Sequence, residues 1–267
     1  MKALVINLDK ETKRLEFQAE QLNILNIDFQ RVPAFKITDE NYNIFTKYSK
    51  SWQRPLSISE VSCFLSHTKA WEIILSENKP MLVLEDDAWL TNNVPCILQN
   101  ISKYKDIDYV TLEITSANRK KLVEKKATNS FCDVNLYRLY QGRSGAGGYI
   151  LWPTGAKKLL TEFKKGKIGL ADKFINAQYS LRAYQIEPAC IIQLDQCNYF
   201  GILPPLEVKT TITNKITSTQ TVLSRLLFRK RRIVGEMKIG INFLKNYTHS
   251  TRRRISLSPY FKNTNKT

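Results

Sequence analysis

Residues Pro80-Met81-Leu82-Val83-Leu84-Glu85-Asp86-Asp87-Ala88-Trp89-Leu90 join an apolar run of strand length to three consecutive carboxylates. An unbroken Met-Leu-Val-Leu run suits a strand buried on both faces, as in a parallel sheet covered by helices. Three acids at its end repel one another and resist desolvation unless a cation sits among them. With hard oxygen ligands, that cation is Mg²⁺ or Mn²⁺ rather than Zn²⁺. Side chains two apart on an extended backbone point the same way. Glu85 and Asp87 are therefore expected to face one site, with Asp86 turned aside. Ligand sites of open α/β sheets lie beyond the carboxyl ends of their strands, where this cluster falls. The plainer alternative is a solvated acidic turn, and the three residues alone do not choose between the two.

Upstream, Ser57 to Glu77 carries the strongest helix signal, with Ser57 and Glu60 spaced as a capping box and Leu56 and Val61 as a staple. Val61, Phe64, Thr68, Trp71 and Leu75 fall on one face, to pack on a sheet, while Glu60, Cys63 and His67 share the neighbouring stripe. A lone histidine in such a stripe is more often structural than part of a site. Lys2 to Leu8 reads as a buried strand, Thr12 to Leu25 as a helix and Ile27 to Val32 as a second strand. Strand–helix–strand is the opening of a parallel sheet. Asn7, Asp9 and Arg14 gather at the first strand's carboxyl end, either as site residues or as an ordinary helix start. Thr38 to Pro55 has no clear period and reads as loop or short helices.

Downstream, the pattern predicts a helix over Val94 to Tyr104 and a strand over Asp108 to Ile114, with Glu113 near its end. Asn118 to Asn129 is charged and weakly patterned, as a surface loop would be. Four of the ten glycines fall within residues 142–148, a concentration that permits close approach of backbone to a ligand. No Gly-Lys-Ser/Thr follows, so this is not a phosphate loop. Thr154 is placed to cap a helix to Phe163, and Ala171 opens another to Tyr184. Asp172 sits in that helix's first turn, where a helix-dipole role is sufficient to explain it. Ile186 to Leu194 reads as a further strand.

With 267 residues, 43% hydrophobic and 10% aromatic, the chain can bury a full core and is neither disordered nor a membrane bundle. No apolar run approaches the ~18 residues of a membrane span. Ala3-Leu4-Val5-Ile6 is too short for a secretory signal core, which predicts a cytoplasmic protein. Five cysteines, odd in number and without a C-x-x-C pair, read as free thiols rather than a disulfide framework or zinc site. The net charge of +17 is uneven. From Lys209 onward fourteen Lys or Arg meet one acid, Glu236, which leaves only +4 for the first 208 residues. Thr210 to Thr221 reads as a linker. Beyond it, Leu223, Leu227, Val234, Met237, Ile241 and Leu244 recur at helical intervals among basic residues. Such a helix either lies on an anionic membrane surface or packs its apolar side on the core. Arg252-Arg253-Arg254 raises nucleic-acid binding as a further alternative, but no aromatic stacking pattern accompanies it.

The order of these features resembles bacterial glycosyltransferase family 25, the lipooligosaccharide galactosyltransferase group related to the collagen galactosyltransferases. The resemblance rests on Val5-Ile6-Asn7-Leu8-Asp9 with Arg14, on Ser59-Glu60-Val61-Ser62-Cys63-Phe64-Leu65-Ser66-His67, and on Leu84-Glu85-Asp86-Asp87. Gly148-Tyr149-Ile150-Leu151 with Gly155-Ala156, and then Ala171-Asp172, complete it. It spans residues 1–200 approximately, and departs at Leu170-Ala171 and from Asp195 to Pro205.

The resemblance implies a GT-A-like nucleotide-sugar α/β fold, a mostly parallel sheet flanked by helices, over residues 1–208; it offers no counterpart for 209–267, which the charge and periodicity read as a basic helical extension. It implies an inverting transfer from a UDP-hexose donor, UDP-galactose foremost, with Mn²⁺ or Mg²⁺. Asp87 is then the metal ligand, while Glu85 and Asp86 support the ribose and the metal's surroundings. Asn7, Leu8, Asp9 and Arg14 would line the uridine pocket. Asp172 would be the general base that takes the acceptor's proton, with Glu113 in reserve. The implied acceptor is a lipid-linked oligosaccharide of the lipooligosaccharide type. The extension would hold the enzyme peripherally on an anionic membrane surface, at the cytoplasmic face of the inner membrane. Glucosyl or N-acetylhexosaminyl transfer is the alternative within the fold. A basic nucleic-acid-binding protein is the alternative from another class. The charge lies in the tail rather than the body, so no nucleic-acid partner is expected.

Overall fold

The computed structural model describes residues 1–115, 120–143, 145–207 and 222–263. Strands β1 (Ala3–Asn7), β2 (Phe29–Pro33) and β3 (Met81–Glu85) form where the apolar runs predict them. Helix α1 (Thr12–Ile24) joins β1 to β2, and α2 (Tyr42–Tyr48) and α3 (Ile58–Glu77) lead into β3. After it come β4 (Ala88–Leu90), α4 (Val94–Ile101), β5 (Tyr109–Thr111), β6 (Lys121–Glu124), β7 (Asn129–Phe131), β8 (Val134–Gln141) and β9 (Gly148–Leu151). Next follow α5 (Pro153–Lys164), α6 (Ala171–Asn176), β10 (Ala183–Glu187) and β11 (Ile191–Gln193). The chain ends with α7 (Val222–Asn246), β12 (Ser250–Arg253) and α8 (Tyr260–Asn263).

Nine strands run β12-β6-β8-β10-β5-β9-β3-β1-β2 across the main sheet, with β7 paired to β8. In the central part, β10, β5, β3, β1 and β2 point the same way and β9 alone is reversed. The central sheet is thus mostly parallel, and helices cover both faces. The pleat sorts the apolar runs between them. Leu4, Ile6, Met81 and Val83 face the layer containing Val61, Phe64 and Trp71 of α3, Leu159 of α5 and Phe174 of α6. Ala3, Val5, Leu82 and Leu84 face Leu22 of α1 and Ile97 and Ile101 of α4. Residues buried on both sides explain why neither run alternates with polar side chains.

The capping box forms as spaced: Glu60 N–H donates to Ser57 Oγ (3.1 Å) and Ser57 N–H to Glu60 Oε2 (2.8 Å). Leu75 does not join the buried face of α3; it is exposed, and Ile74 is buried in its stead. Residues 121–124 are a buried strand rather than the expected surface loop. The Lys121 ammonium is hidden because it donates to Gln185 Oε1 (2.5 Å) and the Glu113 carbonyl (3.4 Å), while Leu122 and Val123 enter the core. The helix expected to run to Tyr184 stops at Asn176. The buried Arg143 guanidinium claims the carbonyls of Gln178 (2.6 Å) and Leu181 (3.4 Å), and β10 pairs with β5 instead. Contrary to the free thiols that the odd cysteine count predicts, Cys96 and Cys132 form a disulfide between α4 and the β7–β8 turn, while Cys63, Cys190 and Cys197 are free. The predicted linker 210–221 lies outside the described residues.

Thr154 does not cap α5; its hydroxyl donates to Asp108 Oδ1 (2.6 Å). Asp108 is fully buried and also accepts from Lys158 Nζ (2.6 Å) and Arg182 N–H (2.7 Å). Burial opposes its charge, but the Lys158, Thr154 and Arg182 donors prevail and hold its pKa below the usual carboxylate value. A depressed carboxylate stabilises the fold above its unfolded pKa, about 3.9, and that contribution is lost as pH falls through the folded value. Asp108→Ala is expected to cost about 3 kcal/mol at neutral pH, by leaving the Thr154 hydroxyl and Arg182 N–H without their acceptor and the part-exposed Lys158 without its partner. In urea unfolding the deficit should shrink below about pH 4; an unchanged deficit there would mean that packing, not charge, is what Asp108 supplies.

Candidate active site

The carboxyl edges of β1 and β3 lie side by side, with Ile6 in register with Glu85. The chain then turns sharply into β4, so Glu85, Asp86 and Asp87 emerge on different sides of the sheet edge. Asp86 points inward, as the pleat predicts, and is buried. It accepts from Asn7 Nδ2 (2.8 Å) and Arg14 Nη1 (3.2 Å), while Gln18 Nε2 holds the backbone carbonyls of Asp86 (3.2 Å) and Ala88 (2.7 Å). Asn7 Oδ1 in turn accepts from Arg31 Nε (3.0 Å). Burial raises the Asp86 pKa, against the pull of Asn7 and Arg14.

Glu85 and Asp87 share a partner across the edge. Gln193 Nε2 donates to Glu85 Oε2 (3.0 Å) and more loosely to Asp87 Oδ1 (3.4 Å). Gln193 ends β11, which is paired with β4, and the Leu194 N–H donates to the Asp87 carbonyl (2.9 Å). The Asp87 acid is pushed up to about 8, first by burial and then by the carboxylates of Glu85, Asp86 and Asp195.

His67, fully buried on α3, stands behind Glu85. The Trp71 indole N–H donates to the Tyr149 hydroxyl (2.8 Å), which lies 3.0 Å from His67 Nδ1. An indole nitrogen only donates, so we assign the Tyr149 hydrogen to Nδ1, leaving the Nε2–H to donate to Glu85 Oε1 (3.1 Å). Cys63 Sγ lies 4.0 Å from the same oxygen. Its thiol is pushed well up by burial and then by the Glu85, Asp172, Asp87 and Glu60 carboxylates. Cys63, His67 and Glu85 could gather within reach of one ion. In the ion-free arrangement Nε2–H is committed to Glu85 and burial favours the neutral thiol, so a metal taken here would have to displace both protons.

These groups wall a cleft of about 430 Å³, lined among others by Glu60, Cys63, Glu85, Asp172, Gln193 and Gln196. The first turn of α6 presents Asp172, whose Oδ2 is 3.5 Å from Lys173 Nζ. Glu113 is not on the wall. It is fully buried, its Oε2 accepts the N–H groups of Gly147 (2.9 Å) and Gly148 (3.3 Å), and its Oε1 has no hydrogen-bond partner among the described residues. Burial, then the Glu85 charge, raise its pKa well above the usual value despite Lys121. Of the predicted site residues, the fold brings Glu85 and Asp172 into the cleft and Asp87 to its edge. Asn7, Arg14 and Asp86 bind one another just behind it. Leu8 is half-buried, its carbonyl accepting Glu11 N–H (2.9 Å), and Asp9 is exposed and paired with Arg31. Sequence reasoning missed Gln193 and Tyr149 as site groups. Both lie inside strand-like runs, and neither residue type signals a site by itself.

An α/β sheet with an acidic cleft at its strand ends is the arrangement of a ligand-handling enzyme. The chain belongs to glycosyltransferase family 25: the pattern described as Glycosyltransferase family 25 (LPS biosynthesis protein) matches residues 1–175. A provisionally named glycosyltransferase of Haemophilus influenzae is 30% identical over 173 residues, 62% of this chain and 59% of that protein. The lipooligosaccharide biosynthesis protein lic2B of the same species is 24% identical over 202 residues, 72% of this chain and 76% of that one. The human procollagen galactosyltransferase 2 is 26% identical over 182 residues, 62% of this chain but only 29% of the human protein. The chain therefore spans less than two thirds of the length of the first and last of these.

Proposed function

We propose that this protein moves a hexose, galactose foremost, from a UDP-sugar to a lipid-linked oligosaccharide of the lipooligosaccharide type, with inversion at the anomeric carbon. The observation that carries the reading is the carboxylate cleft itself: Glu85 and Asp87 joined by Gln193, with Asp172 in the same cavity. Transfer of glucose or N-acetylhexosamine fits the same cleft.

A divalent cation suits the residues present. Asp87 is held protonated up to about 8 by burial and by three neighbouring carboxylates, a crowding that a bound cation relieves. The donor set is all oxygen, which favours Mg²⁺ or Mn²⁺. Asp87 would hold the ion, with Glu85 beside it; when bound, the ion supplies positive charge against the leaving diphosphate. Asp86, fixed by Asn7 and Arg14, keeps the turn that aims Glu85 and Asp87 in opposite senses to itself. The segment Asn7-Leu8-Asp9 with Arg14 stands at the carboxyl end of β1, beside Asp86, and is the proposed uridine-binding edge. Asp172 lines the cleft and would take the acceptor hydroxyl's proton as the new bond forms. Glu113, beneath the glycine-rich loop, is better suited to holding that loop than to meeting an acceptor.

His67 would act through Glu85, as a positioning residue. His67→Leu is expected to lower transfer about 10- to 100-fold, the usual effect of losing a group that orients a ligand-binding side chain. His67→Gln, whose amide can still donate to Glu85, should recover most of it. Equal losses in both variants would reduce His67 to a packing role.

No helix among the described residues is long and apolar enough to cross a membrane. Because the proposed acceptor is lipid-linked, the proposed location is peripheral, at the cytoplasmic face of the inner membrane. The test of the function is a panel of UDP-sugars with Mn²⁺, Mg²⁺ or chelator, reading sugar release and product anomer by NMR. One UDP-hexose consumed only with metal, giving the inverted anomer, is the expected result. No turnover of any UDP-sugar, or full turnover in chelator, would overturn it.

A further inference from the structure

Helix α7 is held to the body along one edge. Phe228 is buried, Arg231 Nη1 donates to the carbonyls of Lys50 (2.6 Å) and Trp52 (2.9 Å), and Gly235 lies against Gln53. The Ile239 carbonyl accepts from Gln141 Nε2 (2.6 Å) and Asn242 Nδ2 donates to the Tyr140 carbonyl (3.0 Å). Positions 228, 231, 235, 239 and 242 recur at three and four, so they form a single stripe. The opposite stripe is aliphatic: Leu223, Leu226, Ile233, Val234, Met237, Ile241 and Leu244 occupy an arc about 100° wide. All seven are exposed, Leu223 to 70%, Met237 to 60% and Leu244 to 74%. The alternative that this helix packs its apolar side on the core is therefore not what the fold does: the apolar side faces outward.

An exposed aliphatic stripe of this length on a monomer marks an interaction surface. Its borders identify the partner. Arg225, Arg229 and Arg232 run along one margin, Lys238 and Lys245 along the other, and Lys230 lies within the stripe, all exposed. The helix as a whole carries seven basic residues and one acid, Glu236. Apolar side chains flanked on both margins by long cationic ones match the boundary between acyl chains and anionic headgroups, where Lys and Arg reach up to phosphate. Packing against a second copy would instead set two strongly basic helices side by side.

The attachment of α7 also relates it to the cleft. The backbone of residues 50–52 receives Arg231, and the Trp52 ring lies against Gly169, just before Leu170, Ala171 and Asp172 in the cleft wall. Arg54, in the same loop, donates to Glu60 (2.6 and 2.9 Å), another residue of the wall. We infer that α7 lies flat on an anionic bilayer through the Leu223–Leu244 stripe and thereby holds the rim of the cleft beside the membrane, where a lipid-linked acceptor is presented. The docking stands on the helix alone; its use for an acceptor rests on the proposed transfer.

The test is co-sedimentation of the full chain, without donor, on phosphatidylglycerol-containing vesicles and on pure phosphatidylcholine vesicles at about 0.15 M salt. Binding is expected to the anionic vesicles and to weaken with salt. Arg229→Gln and Lys238→Gln should each lower affinity about fivefold. Met237→Glu together with Leu226→Glu should abolish binding while circular dichroism and melting stay unchanged, since both side chains are exposed. With a water-soluble saccharide acceptor the double variant should turn over normally, and with a vesicle-embedded acceptor it should lose most of its rate. Undiminished vesicle binding by the double variant, or a concentration-dependent dimer that it dissolves without any vesicle binding by the wild type, would overturn the docking. Vesicle binding that follows these variants in a protein with no UDP-sugar turnover would uphold the docking and remove only the proposed transfer.

Discussion

Asp87→Asn is expected to lower hexose transfer on the order of 10³-fold and to abolish tight Mn²⁺ binding while leaving the fold intact. Asp87 is half-buried at the cleft edge, tied to Glu85 through Gln193, and its acid is pushed up to about 8 by burial and neighbouring carboxylates. A carboxylate placed so awkwardly weakens the metal-free fold: its folded pKa lies above the unfolded value of about 3.9, so stability falls as pH rises from about 4 to about 8. The variant should lose that slope. Without metal at pH 7 it should melt no lower than the wild type, the two converging below about pH 4. Thermal melts across pH, with isothermal titration of Mn²⁺, read this independently of activity. Wild-type turnover in the variant would remove Asp87 from the metal site.

Asp172→Asn should lower kcat by 10²- to 10⁴-fold, on the order of what one general base contributes, with little change in KM for the donor. Asparagine keeps the size and the helix-start position of Asp172 but cannot accept a proton. Its carboxylate shares the cavity with Glu85 and lies outside the Asp86–Asn7–Arg14 network, so donor binding has no direct reason to change. Equal losses in kcat and in donor affinity would mean that Asp172 is part of the wall and the start of α6, nothing more. Glu113→Gln serves as the contrast. It leaves an acceptor for Gly147 and Gly148, so the pH profile should keep its shape.

What could be read in the sequence was local. The opposed senses of Glu85 and Asp86 follow from the pleat, and the Ser57–Glu60 box follows from one helical turn. The apolar runs of β1 and β3 declared a doubly covered sheet because no polar residue interrupts them. What stayed hidden depends on partners far along the chain. Lys121 looks like a surface residue until Gln185 is placed beside it, and the alternation of β8 slips at Tyr137-Arg138, within a stretch dense in Asn, Tyr and Arg. The length of α6 was decided by Arg143, a residue that says nothing about helices from its own position. The role of His67 needed Tyr149 and Glu85, and the bridge between Glu85 and Asp87 needed Gln193, over a hundred residues away.

The last strand has a practical bearing on any truncated form of the protein. Ser250 to Arg253 zips along Lys121 to Glu124, Arg253 reaches Glu187, and Phe261 is buried with its ring against Trp89. Cutting the chain before α7 would strip this cover and leave the backbone amides and carbonyls of Lys121–Glu124 open along a sheet margin, an invitation to clumping. Loss of membrane affinity in such a fragment could then report a sticky, damaged body rather than a missing anchor, so the outward side chains of α7 must be altered one or two at a time, with the terminal strand kept in place.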